Sequence, residues 1–579
     1  MFSPISPLVS GKTVATAAVD KATVLNTRFA AQCSQPPLAR SQLWGVSMSS
    51  AYPKFTFSPV TVDQVHAQLS RLNISKSTGH DDLPACLLRA CAEQLSPSLC
   101  RLFNMSLSSS EFPTIWKLAV VQPVLKDGKP ATAPESYRPI SLLCIVSKVF
   151  EALCHDQLLT HCMEQGVIPD EQYGFLKGRS AEWLLLSITQ QWSYALDRRQ
   201  SSHAVLLDMA KAFDRVDHYV LLCKLEMIGL SQSALVWFKS YLSGRQISTK
   251  VDNVCSAVQP ISSGVPQGSV FGPLLFLLFN ADLPSTVKCN TAMFADDTMI
   301  TDTCCEPSRQ PCCTVCAAIC ECQLWASTNN ASFNATKSAE LFITSVRRRA
   351  EPVSHLTLDN VIIPRVASHK HLGVVIEGNL TWSSHVNMVI SKVQPKIHLL
   401  MALAFRTPLS AFALTRFYLM LIRPHLEYCS SVWTNCGKVA AYKLERVQLR
   451  AARYILRHRR HESTYSDRLR LLNLPTLAWR RRIHQLSMFW RLVNGHGPPE
   501  LADRLPKMCK DRCSYDLSRP LNFQLSLSHS GALSRSFIVS ACIVWNGLPL
   551  AVQKCSSLPL FVKMVSQFFD VDRFVFGLP

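Results

Sequence analysis

Apolar and polar positions follow different rhythms along the chain. In "TVDQVHAQLSRL" (61–72) and across 139–162, apolar residues recur every three or four positions, which predicts amphipathic helices. The segments "WKLAVVQPVLK" (116–126) and "SSHAVLLDM" (201–209) are short apolar runs next to polar turns, which predicts buried strands. The chain is therefore predicted to mix helices with sheet.

The middle of the chain continues with a predicted hairpin (247–261), a glycine-rich loop (264–272) and a second hairpin (289–303). A helix is predicted over 311–326, and Cys312, Cys316 and Cys320 recur in it at a spacing of four, so their sulfurs share one face. Such a face is typical of a cysteine-lined core. A zinc site is the alternative, but no second Cys or His pair follows at zinc-site spacing.

Adjacent carboxylates, Asp296 and Asp297, stand at the centre of the second hairpin. Aspartate is a poor strand residue and neighbouring like charges repel, so some other group is expected to compensate the two charges. Divalent cations would cancel the repulsion, and Asp208, at the end of the buried strand, is the candidate third ligand. An ordinary acidic turn is the alternative interpretation of the pair alone.

The two ends of the chain differ from the middle. Residues 1–60 are rich in Ser, Ala, Thr and Pro, which predicts a linker or leader with one helix at 16–32. Residues 380–579 are predicted to be mostly helical. The arginines of one helix there recur every three or four residues and so share a face, which indicates either a phosphate-contact surface or a solvated face. These are Arg446, Arg450, Arg453, Arg457 and Arg460.

Charge points to a polyanionic partner. The 579 residues include 60 Lys and Arg against 40 Asp and Glu, a formal net charge of +20. Nucleic acid is the first candidate partner and an anionic membrane surface the second. No apolar run in the sequence reaches the length of a membrane span. The N-terminal residues lack the pattern of a secretion signal, so the 23 cysteines are expected to be mostly reduced.

Seven ordered blocks carry a resemblance to a known family. They are "YRPISLL" (137–143), "GFLKGRS" (174–180), "LLDMAKAFDRVDH" (206–218), "SSGVPQGSVFGPLLF" (262–276), "FADDT" (294–298), "NATKS" (334–338) and "KHLGVVI" (370–376). This series closely resembles the reverse transcriptase domain of non-LTR (LINE-type, jockey-like) retrotransposons over roughly 60–380.

The resemblance implies an α+β fold of the right-hand polymerase type, with fingers, palm and thumb and a mostly helical, basic C-terminal region. The implied division is a linker or leader at 1–60, an N-terminal helical extension at 61–110, fingers and palm at 111–378, and thumb with basic helical region at 379–579. An endonuclease domain usually precedes the polymerase in this family. We expect that domain to be missing here, as in a truncated copy.

The resemblance also implies roles for single residues. Asp208, Asp296 and Asp297 match the metal-binding catalytic carboxylates. The residues that match contacts to the incoming dNTP are Lys126, Arg138, Phe213, Gln267 and Lys337, and the aromatic at 213 would exclude a ribose 2′ hydroxyl. Arg179 matches a template-backbone contact, and the arginine row from Arg446 to Arg457 would lie near nucleic acid. Asp214 and Asp217 are expected to cap or brace a helix.

The implied reaction copies RNA into DNA with two Mg²⁺ ions, for which Mn²⁺ is a possible substitute. The implied partners are template RNA, a DNA primer or target and dNTPs, with no membrane, in an intracellular setting that includes nucleus and cytoplasm. "RHRRH" (457–461) is a weak import signal. Two alternatives stay open. One is a catalytically inactive, nucleic-acid-binding relic. The other is an RNA-templated RNA polymerase, which the aromatic at 213 disfavours, or a group II intron maturase, whose flanking domains differ.

Overall fold

The computed structural model describes most of the chain. The described residues are 5–11, 13–34, 52–304, 313–345, 355–458, 462–509, 521–525, 527–570 and 573–575. Cys312, Arg460 and most of the predicted import signal lie outside the described residues.

A five-stranded sheet carries the acidic hairpin. Its strand order is Arg365–Val366, Ala339–Ile343, Ser201–Asp208, Asp297–Cys304 and Asn290–Phe294. The middle strand pairs antiparallel with both neighbours, and only the edge strand beside Ala339–Ile343 runs parallel to its partner. The middle strand is buried until its last residue, Asp208, which lies beside Asp297 of the acidic hairpin.

Alternate residues of the middle strand enter two different cores. Val205 and Leu207 belong to one hydrophobic cluster, and Ala204 and Leu206 belong to the other. This is the period of two that a strand imposes on its side chains, and both sets are apolar because helices cover both faces. The predicted α+β class is confirmed.

The first core is formed with helices that precede and follow the middle strand. These helices are Val62–Ser70, Ala85–Ala90, Ala92–Ser109, Ile145–Glu164, His218–Met227, Gln232–Leu242, Phe271–Phe279, Leu283–Thr286 and Cys313–Thr328. Short 3₁₀ turns lie at Thr114–Lys117, Pro134–Ser136 and Ala212–Arg215. The second core begins with helix Ala181–Asp197 and continues into the C-terminal helices.

A second sheet lies beside the first. Leu118–Leu125 pairs antiparallel with Tyr137–Leu142 and parallel with Gln246–Val251. The short strands Val254–Cys255 and Gln259–Pro260 each pair with Gln246–Val251. The predicted strand at 116–126 and hairpin at 247–261 are therefore present.

The helix predicted over 139–162 begins later than expected. Residues 137–142 form a strand, and the helix starts at Ile145. Pro139 disfavours helical backbone at the residue before it, and the Ser141 amide donates to the carbonyl of Gln267 instead of to a helical acceptor. The apolar spacing alone could not distinguish strand from helix over these few residues.

The predicted leader contains packed structure. Strands Leu8–Ser10 and Thr13–Ala15 pair, and the predicted helix is present as Ala18–Gln32. Leu25 and Phe29 are buried in a cluster with residues of the second sheet. An extended linker is therefore the wrong description of residues 5–34, because these apolar side chains complete the core of that sheet.

Two further hairpins follow the central sheet. Thr357–Leu358 pairs with Val361–Ile362, and Ser368–His371 pairs with Val374–Glu377. After them the described chain is helical, as predicted. The helices are Ser383–Arg406, Ala411–Phe417, the π-helix Tyr418–Ile422, Arg423–Glu427, Ser430–Trp433, Lys438–Leu456, Tyr465–Leu472, Leu477–Val493, Pro499–Ala502, Gly531–Ser534, Phe537–Asn546, Leu550–Gln553 and Leu558–Phe568.

Within the described residues, one helix, Ser383–Arg406, is long and apolar enough to cross a membrane by length and composition. No such segment was predicted from the sequence. Its buried positions, among them Val386, Val389, Val393 and Ile397, recur every three or four residues and enter the second core. That one-sided burial favours a core helix over a span.

The cysteine-rich helix, Cys313–Thr328, does not bury its cysteine row as predicted. Cys316 is half-buried and Cys320 is exposed, whereas Ile319 and Cys322 are buried in the first core. Among the described residues, no group of three or more His, Cys, Asp or Glu side chains has the arrangement of a metal site. The larger apolar residues of the helix, such as Trp325, set which face is buried.

Phe29→Ala should destabilise the protein by about 3–5 kcal/mol, because it empties a fully buried aromatic site between the N-terminal helix and the second sheet. Urea unfolding measures the change. The matched control is Thr23→Ala on the exposed side of the same helix, expected within about 0.5 kcal/mol of wild type. Equal stabilities for both variants would mean that the segment is a linker after all.

Candidate active site

The acidic pair lies at a two-residue turn. Phe294 pairs with Asp297, so Ala295 and Asp296 form the turn between two antiparallel strands. Ala295 has a φ of +58°, which a two-residue hairpin favours but which residues other than glycine rarely adopt. The conformation persists only where surrounding groups hold it.

Two buried amide side chains hold this turn. The Gln172 Oε1 accepts hydrogen bonds from the backbone N–H groups of Ala295 and Gly174, each at 2.8 Å. Asn280 Nδ2 donates to the Ala295 carbonyl at 3.1 Å. A Cβ at Gly174 would lie 2.4 Å from the Ala295 nitrogen, so only glycine allows the two segments to approach this closely.

Asp208 stands opposite the acidic pair. Its Cα is registered with that of Asp297 across the two strands, so the two side chains leave the sheet on the same face. Lys337 Nζ lies 3.3 Å from Asp208 Oδ2. Both side chains are substantially exposed, so this ion pair contributes little stability and can exchange for other partners.

Crowding of the carboxylates disfavours their charged forms. Burial and the negative charge of Asp208 raise the pKa of Asp296, and the positive charge of Arg138 only partly offsets this. Burial, Asp296 and Asp208 together raise the pKa of Asp297 to about 6. The site is therefore short of positive charge at its acidic end, which is the condition in which a cation binds favourably.

The glycine-rich loop fixes the position of Gln267. Gln267 Nε2 donates to Asp214 Oδ1 at 2.7 Å, and its carbonyl accepts from the Ser141 amide at 2.8 Å. Gly268 has a φ of +134°, and a Cβ there would lie 2.4 Å from the Ser141 carbonyl oxygen. The loop thus lies directly on the second sheet with the Gln267 side chain at its edge.

A buried carboxylate anchors the other end of this loop. Glu151, fully buried in helix Ile145–Glu164, accepts from the backbone amides of Val270 and Phe271 at 2.9 and 3.2 Å. These amides begin helix Phe271–Phe279, where unpaired N–H groups favour a negative charge. Tyr241 donates to the same carboxylate at 3.2 Å.

Phe213 lies between the acidic strands and the loop. It is half-buried, stacks on Phe276 with centroids 4.7 Å apart, and meets Phe175 edge-on at 6.1 Å. Its ring is therefore fixed from two sides. Asp217 caps helix His218–Met227 by accepting from two of its first amides, as expected, and Asp214 braces Gln267.

The predicted cations come from the second sheet and from the loop after the acidic strands. Arg138 pairs with Val124 across two strands, and Lys126 follows that strand and donates to the Glu135 carbonyl at 2.9 Å. Burial, followed by the positive charges of neighbours that include Arg138 and Lys337, lowers the pKa of Lys126. Cations held this close together create a positive potential that favours the binding of an anion.

A single cleft of about 700 Å³ collects these groups. Of the residues predicted to bind metal or dNTP, it is lined by Lys126, Arg138, Asp208, Phe213, Gln267, Asp296 and Lys337. Asp297 neighbours Asp296 and faces Asp208 in the sheet. Three cations that were not predicted, Arg28, Lys129 and Lys211, also line the cleft.

Residues 124–376, which contain this cleft except for its N-terminal wall, match the family described as reverse transcriptase (RNA-dependent DNA polymerase). Residues 124–376 are a reverse transcriptase domain. The match ends at the second hairpin after the central sheet, which is where the sequence blocks also end.

Similarity to transposon proteins extends beyond this domain. The chain is 31% identical over 412 residues to the probable RNA-directed DNA polymerase from transposon X-element of Drosophila melanogaster, covering 70% of this chain and 44% of that protein. It is 31% identical over 448 residues to the corresponding probable polymerase from transposon BS of the same organism, covering 71% and 49%. It is 29% identical to the RNA-directed DNA polymerase from mobile element jockey of Drosophila melanogaster, covering 69% of this chain and 44% of that protein.

The chain thus spans about half the length of the curated relatives it matches. The predicted resemblance to jockey-like, non-LTR retrotransposon reverse transcriptases is confirmed.

Arg179 of the reverse transcriptase domain does not point its donors at open solvent. Its guanidinium donates to the carbonyls of Pro169, Asp170 and Gln172 at 2.6–3.1 Å and pairs with the Asp170 carboxylate at 2.6 Å. These acceptors hold the segment that carries Gln172, so Arg179 braces that segment, and its contact with the template backbone stays a prediction.

The arginines of the C-terminal row make two kinds of contact: some donate hydrogen bonds within the protein, and others lie over aromatic rings. Arg457 donates to the carbonyls of Ala404, Thr407 and Leu409, so it caps the end of helix Ser383–Arg406, and its nucleic-acid contact stays a prediction. In the same row, Arg450 donates to the Gln394 side chain.

The other two described members of the row are placed differently. The Arg446 guanidinium lies over the Tyr442 ring and Arg453 over Tyr454, on the outer part of helix Lys438–Leu456. Their nucleic-acid contact stays a prediction.

Sequence patterns missed the residues that position this site. Gln172, Asn280 and Glu151 are buried polar side chains inside or beside apolar runs, where periodicity treats them as interruptions. Gly174 in "YGF" was the one available signal, because a glycine between aromatic residues indicates a close backbone approach. Arg28 was missed because residues 1–60 were predicted to be a linker.

Asp297→Asn should raise the melting temperature of the metal-free protein at about pH 8. The folded-state pKa of about 6 lies above the ordinary value of 3.8, so ionisation costs stability as pH rises through this window, and the full cost is present above it. The advantage of the variant should shrink as pH falls and disappear below about pH 3, where the carboxyl is mostly protonated in both the folded and the unfolded state. Thermal unfolding of both proteins in EDTA, from acid pH to about pH 8, measures this difference in melting temperature.

The control for this experiment is Glu164→Gln, at an exposed carboxylate at the end of helix Ile145–Glu164. At about pH 8 it should shift the melting temperature by less than Asp297→Asn does. A wild type that is more stable than Asp297→Asn at about pH 8 would contradict the assigned crowding.

Proposed function

We propose that this chain is an RNA-directed DNA polymerase of a non-LTR retrotransposon, which copies RNA into DNA. The observation that carries the proposal is the cleft of about 700 Å³, because one cavity contains the carboxylates, the aromatic ring, Gln267 and the cations. Its dimensions suit a nucleotide-sized ligand. The relatives named as RNA-directed DNA polymerases support the same reaction.

The two sheets suit the parts of a right-hand polymerase. In this proposal the central sheet with Asp208 is the palm, and the second sheet with Lys126 and Arg138 forms the fingers. The thumb begins with helix Ser383–Arg406, after hairpin 368–377, which would contact the primer. Residues 61–110 would be the helical extension, and the remaining C-terminal helices the basic region.

The carboxylates fit Mg²⁺ as a partial ligand set. Asp208, Asp296 and Asp297 offer hard oxygen donors on one sheet edge, and the raised pKa values of Asp296 and Asp297 support a shortage of positive charge around them. The described residues do not form a complete metal cage. Mg²⁺ sites usually take one or two carboxylates and fill the remaining positions with water and phosphate oxygens, which matches this set.

Bound divalent ions, two Mg²⁺ in the family or Mn²⁺ in their place, would activate the primer 3′ hydroxyl and stabilise the charge on the departing pyrophosphate. The protein's own groups position the substrate. Lys126 and Arg138 would bind the triphosphate, and Gln267 would contact the nucleotide at the loop edge. Lys337 would leave Asp208 and protonate the pyrophosphate as the bond to the α-phosphorus breaks.

The proposed partners are an RNA template, a DNA primer or target, and dNTPs. A net charge of +20 supports a nucleic-acid partner, since phosphates attract Lys and Arg over long distances. In the family the primer is the cut target itself, and we propose the same here. An intracellular location, including the nucleus and the cytoplasm, belongs to this proposal. The intact set of cleft residues is evidence against an inactive relic.

Primer extension tests the function directly. Purified protein is given a poly-A RNA template with an oligo-dT primer, Mg²⁺ and labelled dTTP. Wild type and Glu164→Gln should extend the primer, and Asp296→Asn should lose at least about a hundredfold in rate, because it removes charge where charge develops in the transition state. No extension by folded wild type with either Mg²⁺ or Mn²⁺ would overturn the proposal.

Phe213→Val should relax the choice of sugar. The ring is held by Phe276 and Phe175, so it cannot move aside for a 2′ hydroxyl, and a smaller side chain leaves space. The ratio of kcat/KM for dTTP to that for UTP is expected to fall by about tenfold or more. Phe279→Leu, an aromatic replaced on the same apolar helix side as Phe276 but outside the cleft, serves as the control. An unchanged ratio in Phe213→Val would remove this residue from sugar selection.

A further inference from the structure

The N-terminal helix Ala18–Gln32 is fixed against the wall of the cleft. Asn26 Nδ2 donates to the Ala257 carbonyl at 2.9 Å, and its Oδ1 accepts from Thr249 at 3.0 Å. The Cys33 carbonyl, just after the helix, accepts from the amides of Ser262 and Ser263. The helix is therefore tied both to the second sheet and to the start of the loop that carries Gln267.

One side of this helix reaches the cleft. Arg28 and Gln32 are one turn apart, so they lie on the same face, and both line the cavity. Neighbouring Phe29 is buried under the sheet and prevents the helix from rotating. The position of Arg28 is thus set by a packed core, which is how binding side chains are usually supported.

Few partners within the described structure occupy the Arg28 guanidinium. Its Nη1 is 3.9 Å from Glu135, whose side chain is 62% exposed, so this contact is weak. Its Nε is buried and has no hydrogen-bond acceptor among the described residues. A buried donor without a partner costs free energy, which a ligand that accepts from it would recover.

The surroundings of Arg28 carry excess positive charge. Lys126, Lys129 and Lys211 line the same part of the cavity. The charge of Arg28 is among the causes that lower the pKa of both Lys126 and Lys211, after burial in each case. Repulsion between these groups is relieved when a multiply charged anion binds among them.

We propose that Arg28 binds the terminal phosphates of the incoming deoxynucleoside triphosphate. The inference rests on the proposed polymerase function and adds a residue from outside the matched domain to the substrate site. A triphosphate is favoured over the phosphates of a nucleic-acid strand because Arg28 shares one half-open cleft with Lys126 and Lys211, so their positive charges converge on a single ligand. The guanidinium fork suits the two-point contact that a terminal phosphate offers.

Ternary-complex stability tests this without chemistry. Wild-type protein is bound to an RNA template and a primer with a dideoxy end, and Mg²⁺ and the complementary dNTP are titrated in. The fraction that survives a heparin challenge gives the Kd for the nucleotide. Arg28→Gln should raise this Kd about tenfold, the effect of one lost charge-assisted contact, while the Kd for primer–template stays within about twofold of wild type.

The same titration with dNDP locates the contact. Wild type should prefer dNTP over dNDP, and Arg28→Gln should lose most of that preference, whereas Arg28→Lys should retain part of it. The control is Arg89→Gln, which removes an exposed arginine from helix Ala85–Ala90, outside the cleft. It should behave as wild type in every arm. Melting temperatures of all variants show that folding is kept.

Several results would overturn the inference. An Arg28→Gln protein with unchanged dNTP affinity, in a wild type that does form ternary complexes, rejects the role of Arg28 while the polymerase function stands. A weakened primer–template Kd with unchanged dNTP affinity would assign Arg28 to the nucleic-acid strand instead. A wild type that forms no ternary complex and extends no primer would reject both the function and this inference.

Discussion

The candidate site depends on the register between two antiparallel strands. Because Asp297 stands opposite Asp208, both carboxylates emerge on the same face at the sheet edge. A slip of one residue would turn one of them into a hydrophobic core, since alternate positions of the middle strand belong to two different cores. The turn at Ala295 fixes the register of Asp297–Cys304 against its other neighbour, Asn290–Phe294, and Gln172, Asn280 and Gly174 fix the turn. Charge repulsion at the site is therefore opposed by buried amide hydrogen bonds a few ångströms away.

A second set of contacts joins the two sheets around the cleft. Glu151 anchors the end of the glycine-rich loop, Ser141 holds its middle, and the Cys33 carbonyl holds its start. The loop thus connects the first core, the second sheet and the N-terminal helix. Movement of any one of them would be transmitted to Gln267, so this edge of the cleft is positioned by all three.

The sequence was sufficient to predict residues that line the cleft and much of the fold, and insufficient to predict the residues that support them. Asp208, Asp296 and Phe213 were predicted because short blocks of residues have recognisable order, and the buried strand was predicted from its apolar run. Strand 137–142 was taken for a helix start because a few apolar residues fit either period. The carbonyls that accept from Arg179 and Arg457 could not be predicted, because a sequence shows a charge and not its acceptor.

The residues that support the site are spread beyond the matched domain. Glu182, on a helix of that domain, accepts from His484 at 3.0 Å and from the Ser431 amide at 3.0 Å. On the same helix, Gln190 bonds Ser536 and the Ile538 amide. Since Leu206 of the middle strand shares its core with the C-terminal helices, residues 124–376 leave apolar and polar groups uncovered on one face when taken alone. The C-terminal helices therefore complete the sheet that holds the carboxylates, and the N-terminal helix completes the cleft in front of it.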